Sequence, residues 1–145
     1  MAGRAGRVLP LVLLGGPLGA WALQAGERAG LLRLGADGAW PAVFMLLMAA
    51  PVVEEYVFRE LLQGWLASVF RRGDLACDRL LSPANAVTSL VFCACHAIHQ
   101  PLLFALAIVL PSLVFGRVRE VFGEVWPCMV AHAWFNACFL FVLVA

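Results

Sequence analysis

Lysine is missing from this chain, and all ten of its basic residues are arginine. Charge of either sign is scarce, at 13% of residues, against about 25% in soluble globular domains. Tyrosine occurs once and histidine three times. There is no low-complexity segment, no internal repeat and no CxxC pair. A net charge of +1 excludes a nucleic-acid partner, because holding a phosphate backbone takes a basic surface. The five cysteines are Cys77, Cys93, Cys95, Cys128 and Cys138. Four lie in apolar segments, which points to small buried thiols rather than disulfides or zinc ligands. Arginine without lysine, beside abundant alanine and glycine, fits a GC-rich bacterial source.

What the chain has in excess is apolar surface. Hydrophobic residues make up 63% of the 145, with a mean hydropathy of +0.92. A soluble domain of this size cannot hide that much, so a lipid bilayer serves as part of its solvent. The expectation is an all-α polytopic membrane bundle of about five transmembrane helices, one domain over 1–145, with its motif core over about 40–145.

The first apolar segment is 8–25, "VLPLVLLGGPLGAWALQA". Its opening resembles a signal peptide, but no small-residue cleavage site precedes Trp21, so a helix is expected there. A glycine-rich loop is expected over 26–38. The second segment, from Trp40 to about Phe70, exceeds the ~20 residues that cross a bilayer; it must tilt, kink near Pro51, or extend into the interface. Ser82-Pro83 reads as an N-cap followed by proline at the first helical position, opening a third helix to about His99. Pro101 opens a fourth to about Phe115, "GRVREVFGE" reads as a loop, and the last helix covers about 125–145. Alternating five spans from a cytoplasmic N-terminus puts Arg4, Arg7, Arg71, Arg72, Arg79, Arg117 and Arg119 inside, with only Arg28 and Arg33 outside, as the positive-inside rule favours.

Three polar sites interrupt the apolar pattern: "EEYVFR" at 54–59, "FCACHAIH" at 92–99 and "HAWFN" at 132–136. All three histidines lie in them. An ionisable group at mid-bilayer costs about 2.5–3.5 kcal/mol even on insertion scales, and such groups mark functional sites by default. Glu55 and Arg59 are four apart and share a helix face, whereas Glu54 points about 100° away. Glu55 therefore reads as the partner of Arg59, and Glu54 as the carboxylate available for chemistry. His132 and Asn136 also share a face and offer two N–H donors of the kind an oxyanion needs. His96 supplies a second proton-handling group. His99, beside Gln100-Pro101, reads as an interfacial residue. Together these are the parts for attack of an activated water on an amide. At ~1.5 Å per residue, Glu54 and His132 fall at similar depth, nearer the inner face. His96 falls about 10 Å further out by the same count.

"EEYVFR", "FCACH" and "HAWFN" resemble, in order, the EExxxR, FxxxH and HxxxN motifs of the CAAX protease and bacteriocin-processing enzyme family, the intramembrane glutamate proteases of the Abi type. The resemblance spans 54–136. It implies an intramembrane endopeptidase in which Glu54 activates water with help from His96. His132 and Asn136 would stabilise the tetrahedral oxyanion, and Glu55 and Arg59 would support the site. It further implies a membrane-anchored protein or peptide substrate, a bacterial inner-membrane location and no metal. The chain is shorter than typical members, and is most similar to the compact bacterial ones linked to C-terminal sorting signals. Prenylated substrates are less expected there. Two alternatives stand beside this reading. One is a zinc-dependent protease with His96, His99, His132 and a glutamate as ligands. The other is a non-catalytic scaffold or immunity protein whose polar residues hold helices together.

Overall fold

The computed structural model describes residues 2–28, 44–70 and 82–144, and every regular element among them is a helix. We number them α1 (Ala2–Arg28), α2 (44–70), α3 (Pro83–Ala97), α4 (Leu102–Phe122) and α5 (Trp126–Val144). The expected glycine-rich loop beyond Arg28, the start of the second segment at Trp40, and Cys77 lie outside the described residues. By length and composition, Gly6–Ala25 within α1 and the whole of α4 are each able to cross a membrane. Large apolar side chains such as Leu14, Trp65, Leu90 and Leu110 cover the outside of the bundle, as a lipid-facing surface requires.

α2 is continuous but not uniform. Met45–Ala49 and Tyr56–Gln63 are π-helical, with an α-helical stretch, Ala50–Glu55, between them. The N–H of Ala50 donates to the carbonyl of Met45, five residues back. Pro51, which has no N–H to give, follows directly on this widened turn. A π-type widening accommodates a locally broken hydrogen-bond ladder, so the irregularity expected near Pro51 takes that form.

α3 begins as its sequence suggests. Ser82 is extended (φ −75°, ψ 150°), its Oγ accepts the N–H of Asn85 at 3.0 Å, and Pro83 occupies the first helical turn. Such a cap satisfies one of the orphan donors at a helix start.

The expected loop "GRVREVFGE" is a correction, because α4 runs on to Phe122. Gly116, the first residue of that expected loop, is a packing residue: a Cβ there would lie 1.8 Å from Oδ1 of Asn85. Glycine lets α3 and α4 meet backbone to side chain, as small residues do in membrane bundles. Val118 is 2% exposed, and Arg117 pairs with Glu120 at 3.2 Å one turn on. The stop comes at Gly123, whose φ of 76° is left-handed and whose N–H donates to the carbonyl of Arg119, a glycine C-cap. Similarly, α1 extends beyond both expected ends, to Ala2 and Arg28.

α3 packs along α4; α1 lies against α5 and α4; and α5 contacts the first half of α2. A second correction concerns the thiols. Cys93 and Cys128 are buried and Cys138 is half-buried, but Cys95 is exposed, because it sits about 160° around α3 from Cys93.

Candidate active site

The two adjacent glutamates of α2 have different surroundings. The Glu55 side chain is fully buried, as is Arg59, whose Nε donates to Glu55 Oε2 at 3.2 Å. The Glu54 side chain keeps 29% exposure. A buried pair of opposite charges holds only when its remaining donors and acceptors are also met, and here they are. Arg59 Nη2 donates to Ser112 Oγ of α4 at 2.5 Å, and Nη1 donates to Gln63 Oε1 at 3.3 Å. The guanidinium also lies 5.8 Å from the ring centre of Phe92.

The other oxygen of Glu55 belongs to α5. His132 Nδ1 lies 2.7 Å from Glu55 Oε1. A carboxylate held by Arg59 can only accept, so Nδ1 carries the proton and donates it. That turns Nε2 outward, to 3.8 Å from Glu54 Oε2. The imidazole is clamped between aromatic rings, stacked on Phe115 (centres 4.9 Å apart, planes at 18°) and edge-on to Phe92 at 6.3 Å.

His96 is fixed in a comparable way. Its Nδ1 lies 2.9 Å from the carbonyl of Phe92, one turn back on α3, and its ring leans on the Phe92 ring at 4.4 Å. The carbonyl accepts, so the Nδ1 hydrogen is again committed and Nε2 is left open. His96 and His132 both lie against the Phe92 ring, and His132 Nε2 is 3.8 Å from Glu54 Oε2. Glu54, His96 and His132 thus come from three helices to one neighbourhood. Asn136 is half-buried one turn beyond His132. His99 lies in the exposed turn after α3. Among the described residues, no three histidine, cysteine, aspartate or glutamate side chains are grouped to hold a metal ion.

Residues that sequence reasoning passed over complete the frame. Gln63 is 2% exposed; its Nε2 donates to the Gly116 carbonyl at 3.1 Å and to Glu120 Oε1 at 3.2 Å. Ser82 Oγ also bonds Glu120 Oε1. Asn85 donates to the Leu113 carbonyl at 2.9 Å and accepts from Ser89 Oγ. Glu55, Arg59 and Gln63 form one stripe at successive four-residue steps, a periodicity that could have pointed to Gln63.

Residues 36–138 match the type II CAAX prenyl endopeptidase Rce1-like family. The chain belongs to this Rce1-like family. The matched stretch contains all three motifs and leaves α1 outside it, in agreement with the resemblance carried by those motifs. Comparison with curated proteins and with solved structures gave no match. Membership of the Rce1-like family, with the apolar exterior of the bundle, makes the chain an all-α polytopic membrane protein of the CAAX protease type.

Proposed function

We propose that this chain is an intramembrane endopeptidase that uses a glutamate-activated water to cut a peptide bond in a membrane-anchored protein or peptide. The observation that supports the reading is that two imidazoles, each with Nδ1 already committed, flank the Phe92 ring beside the partly exposed carboxylate of Glu54, 3.8 Å from one of them. A 3.8 Å gap between Glu54 Oε2 and His132 Nε2 is too long for a direct hydrogen bond and is the kind of separation a water bridges.

Glu54, with His96, takes a proton from that water as oxygen attacks the scissile carbonyl carbon. The negative charge moves onto the carbonyl oxygen, where His132 and Asn136 donate hydrogen bonds. The proton then goes to the leaving amine as the C–N bond breaks. Because His132 spends its Nδ1–H on Glu55, its donor to the oxyanion is Nε2–H, which the ring carries only when doubly protonated. The Glu55 carboxylate stabilises that imidazolium and fixes its orientation, as the buried aspartate does in a serine-protease triad. No metal takes part in this scheme.

The protein acts in this reading as one domain over 1–145, in a bacterial inner membrane with its N-terminus in the cytoplasm, where most of its arginines fall. Candidate substrates are proteins with a short C-terminal membrane anchor or sorting signal. The family name adds prenylated CAAX tails as a second class to assay.

The test is co-expression with reporters of both classes, comparing wild type with Glu54→Gln. Loss of cleavage in a variant that still inserts and folds is expected. Normal turnover by Glu54→Gln sinks the assignment.

A further inference from the structure

α1 lies outside the family match, yet its inner face reaches the site through an unbroken series of contacts. A Cβ at Gly15 would come within 2.8 Å of Cζ of Phe135 on α5, so only glycine leaves that ring where it is. The Phe135 ring stands edge-on to Phe115 of α4, with centres 5.1 Å apart and planes at 84°. Phe115 in turn stacks on His132 at 4.9 Å. Two turns earlier, Val8 is 2% exposed and packs with Val118 and Cys128. Cys128 Sγ donates to the Phe115 carbonyl at 3.3 Å. α1 therefore backs the same phenylalanine twice, once at its ring through Phe135 and once at its carbonyl through Cys128.

We propose that α1 is a working part of the site, and that Gly15 and Phe135 are positioning residues that set the His132 ring through Phe115. This rests on the reading of His132 given under Proposed function. The hydrogen bond to Glu55 fixes His132 at Nδ1 only and leaves the ring free to swing about that bond. The Phe115 face stops the swing and keeps Nε2 aimed toward Glu54. Protein interiors are close-packed and transmit small displacements, so a side chain at residue 15 that pushes Phe135 aside also frees or tilts Phe115.

The test uses the full chain, with its histidines isotope-labelled, in lipid nanodiscs. Protons above an aromatic face are shielded, so the carbon-bound ring protons of His132 should resonate upfield of those of exposed His99. His132→Gln assigns its signals. In Gly15→Val the His132 signals should move toward the unshielded position while those of His99 stay. Adding Phe135→Leu, which clears the space, should return them. Gly15→Ala serves if the valine variant does not fold, since its Cβ already meets the ring.

Cleavage of a farnesylated CAAX-tailed reporter should fall about tenfold in kcat at unchanged KM, because misplacement by about 1 Å costs up to ~10²-fold. The double variant should recover. Unmoved His132 signals, or a shift that Phe135→Leu does not reverse, overturn the proposal. The spectroscopic result needs no substrate. A wild-type protein that fails to cut, or a Glu54→Gln variant that cuts normally, therefore counts against the proposed function and not against the role of α1.

Discussion

Glu55 serves two partners with its two oxygens: Oε2 receives Nε of Arg59 at 3.2 Å, and Oε1 receives Nδ1 of His132 at 2.7 Å. One buried carboxylate thus joins a charge balance within α2 to the orientation of a ring on α5. Substitutions at Glu55 and at its neighbour Glu54 should consequently fail in different ways.

Glu55→Gln keeps the shape and an acceptor for His132 but leaves Arg59 as an uncompensated buried cation. Breaking a buried pair from one side costs about 3–5 kcal/mol. Unfolding of the purified variant in detergent should show a loss of that order together with loss of activity. Glu55→Gln/Arg59→Met, which removes both charges, should recover much of the stability and little of the activity.

His96→Gln should act on turnover with little effect on stability. The ring is half-buried and its one hydrogen bond is local to α3. A general acid–base group contributes about 10²–10⁴-fold, so kcat should fall within that range while the unfolding midpoint stays near wild type. A midpoint that falls as far as that of Glu55→Gln would show that His96 is a packing residue.

Ser112→Ala takes from Arg59 the hydrogen bond that ties it to α4. Hydrogen bonds to charged groups contribute about 1.5–3 kcal/mol. Stability should fall by that amount, and activity should fall less than in either glutamate variant, as checked by unfolding and by turnover of the same preparation.

Removal of metal should leave turnover unchanged. Dialysis of active enzyme against a chelator, followed by elemental analysis, checks this. Stoichiometric zinc lost in step with activity would instead favour a zinc site built from His96, His99, His132 and a glutamate.

The pairing of Glu55 with Arg59 was legible in the sequence because it needs only the angular spacing of a helix. The Ser82 cap was legible because capping chemistry is local. The contact from His132 to Glu55 was not, since the two are 77 residues apart in the chain and nothing local couples them. Nor was the way the His96 ring folds back a full turn onto Phe92, as helical side chains do. The loop expected from Gly116 onward was overturned for a similar reason: its polar residues stand out in isolation, and only the position of Asn85 reveals the contact at Gly116.

That contact has a mechanical consequence. Where Asn85 seats against Gly116, α3 and α4 are pinned at a fulcrum, and His96 rides on the far arm of α3. The arm is on the order of 16 Å long at 1.5 Å per residue, so a pivot of roughly 3–4° displaces the imidazole by about 1 Å, the scale of misplacement at which catalysis drops by up to ~10²-fold. A methyl group added at Gly116 would make such a pivot hard to avoid. The smallest side chain in the bundle thus governs the reach of a histidine it never touches.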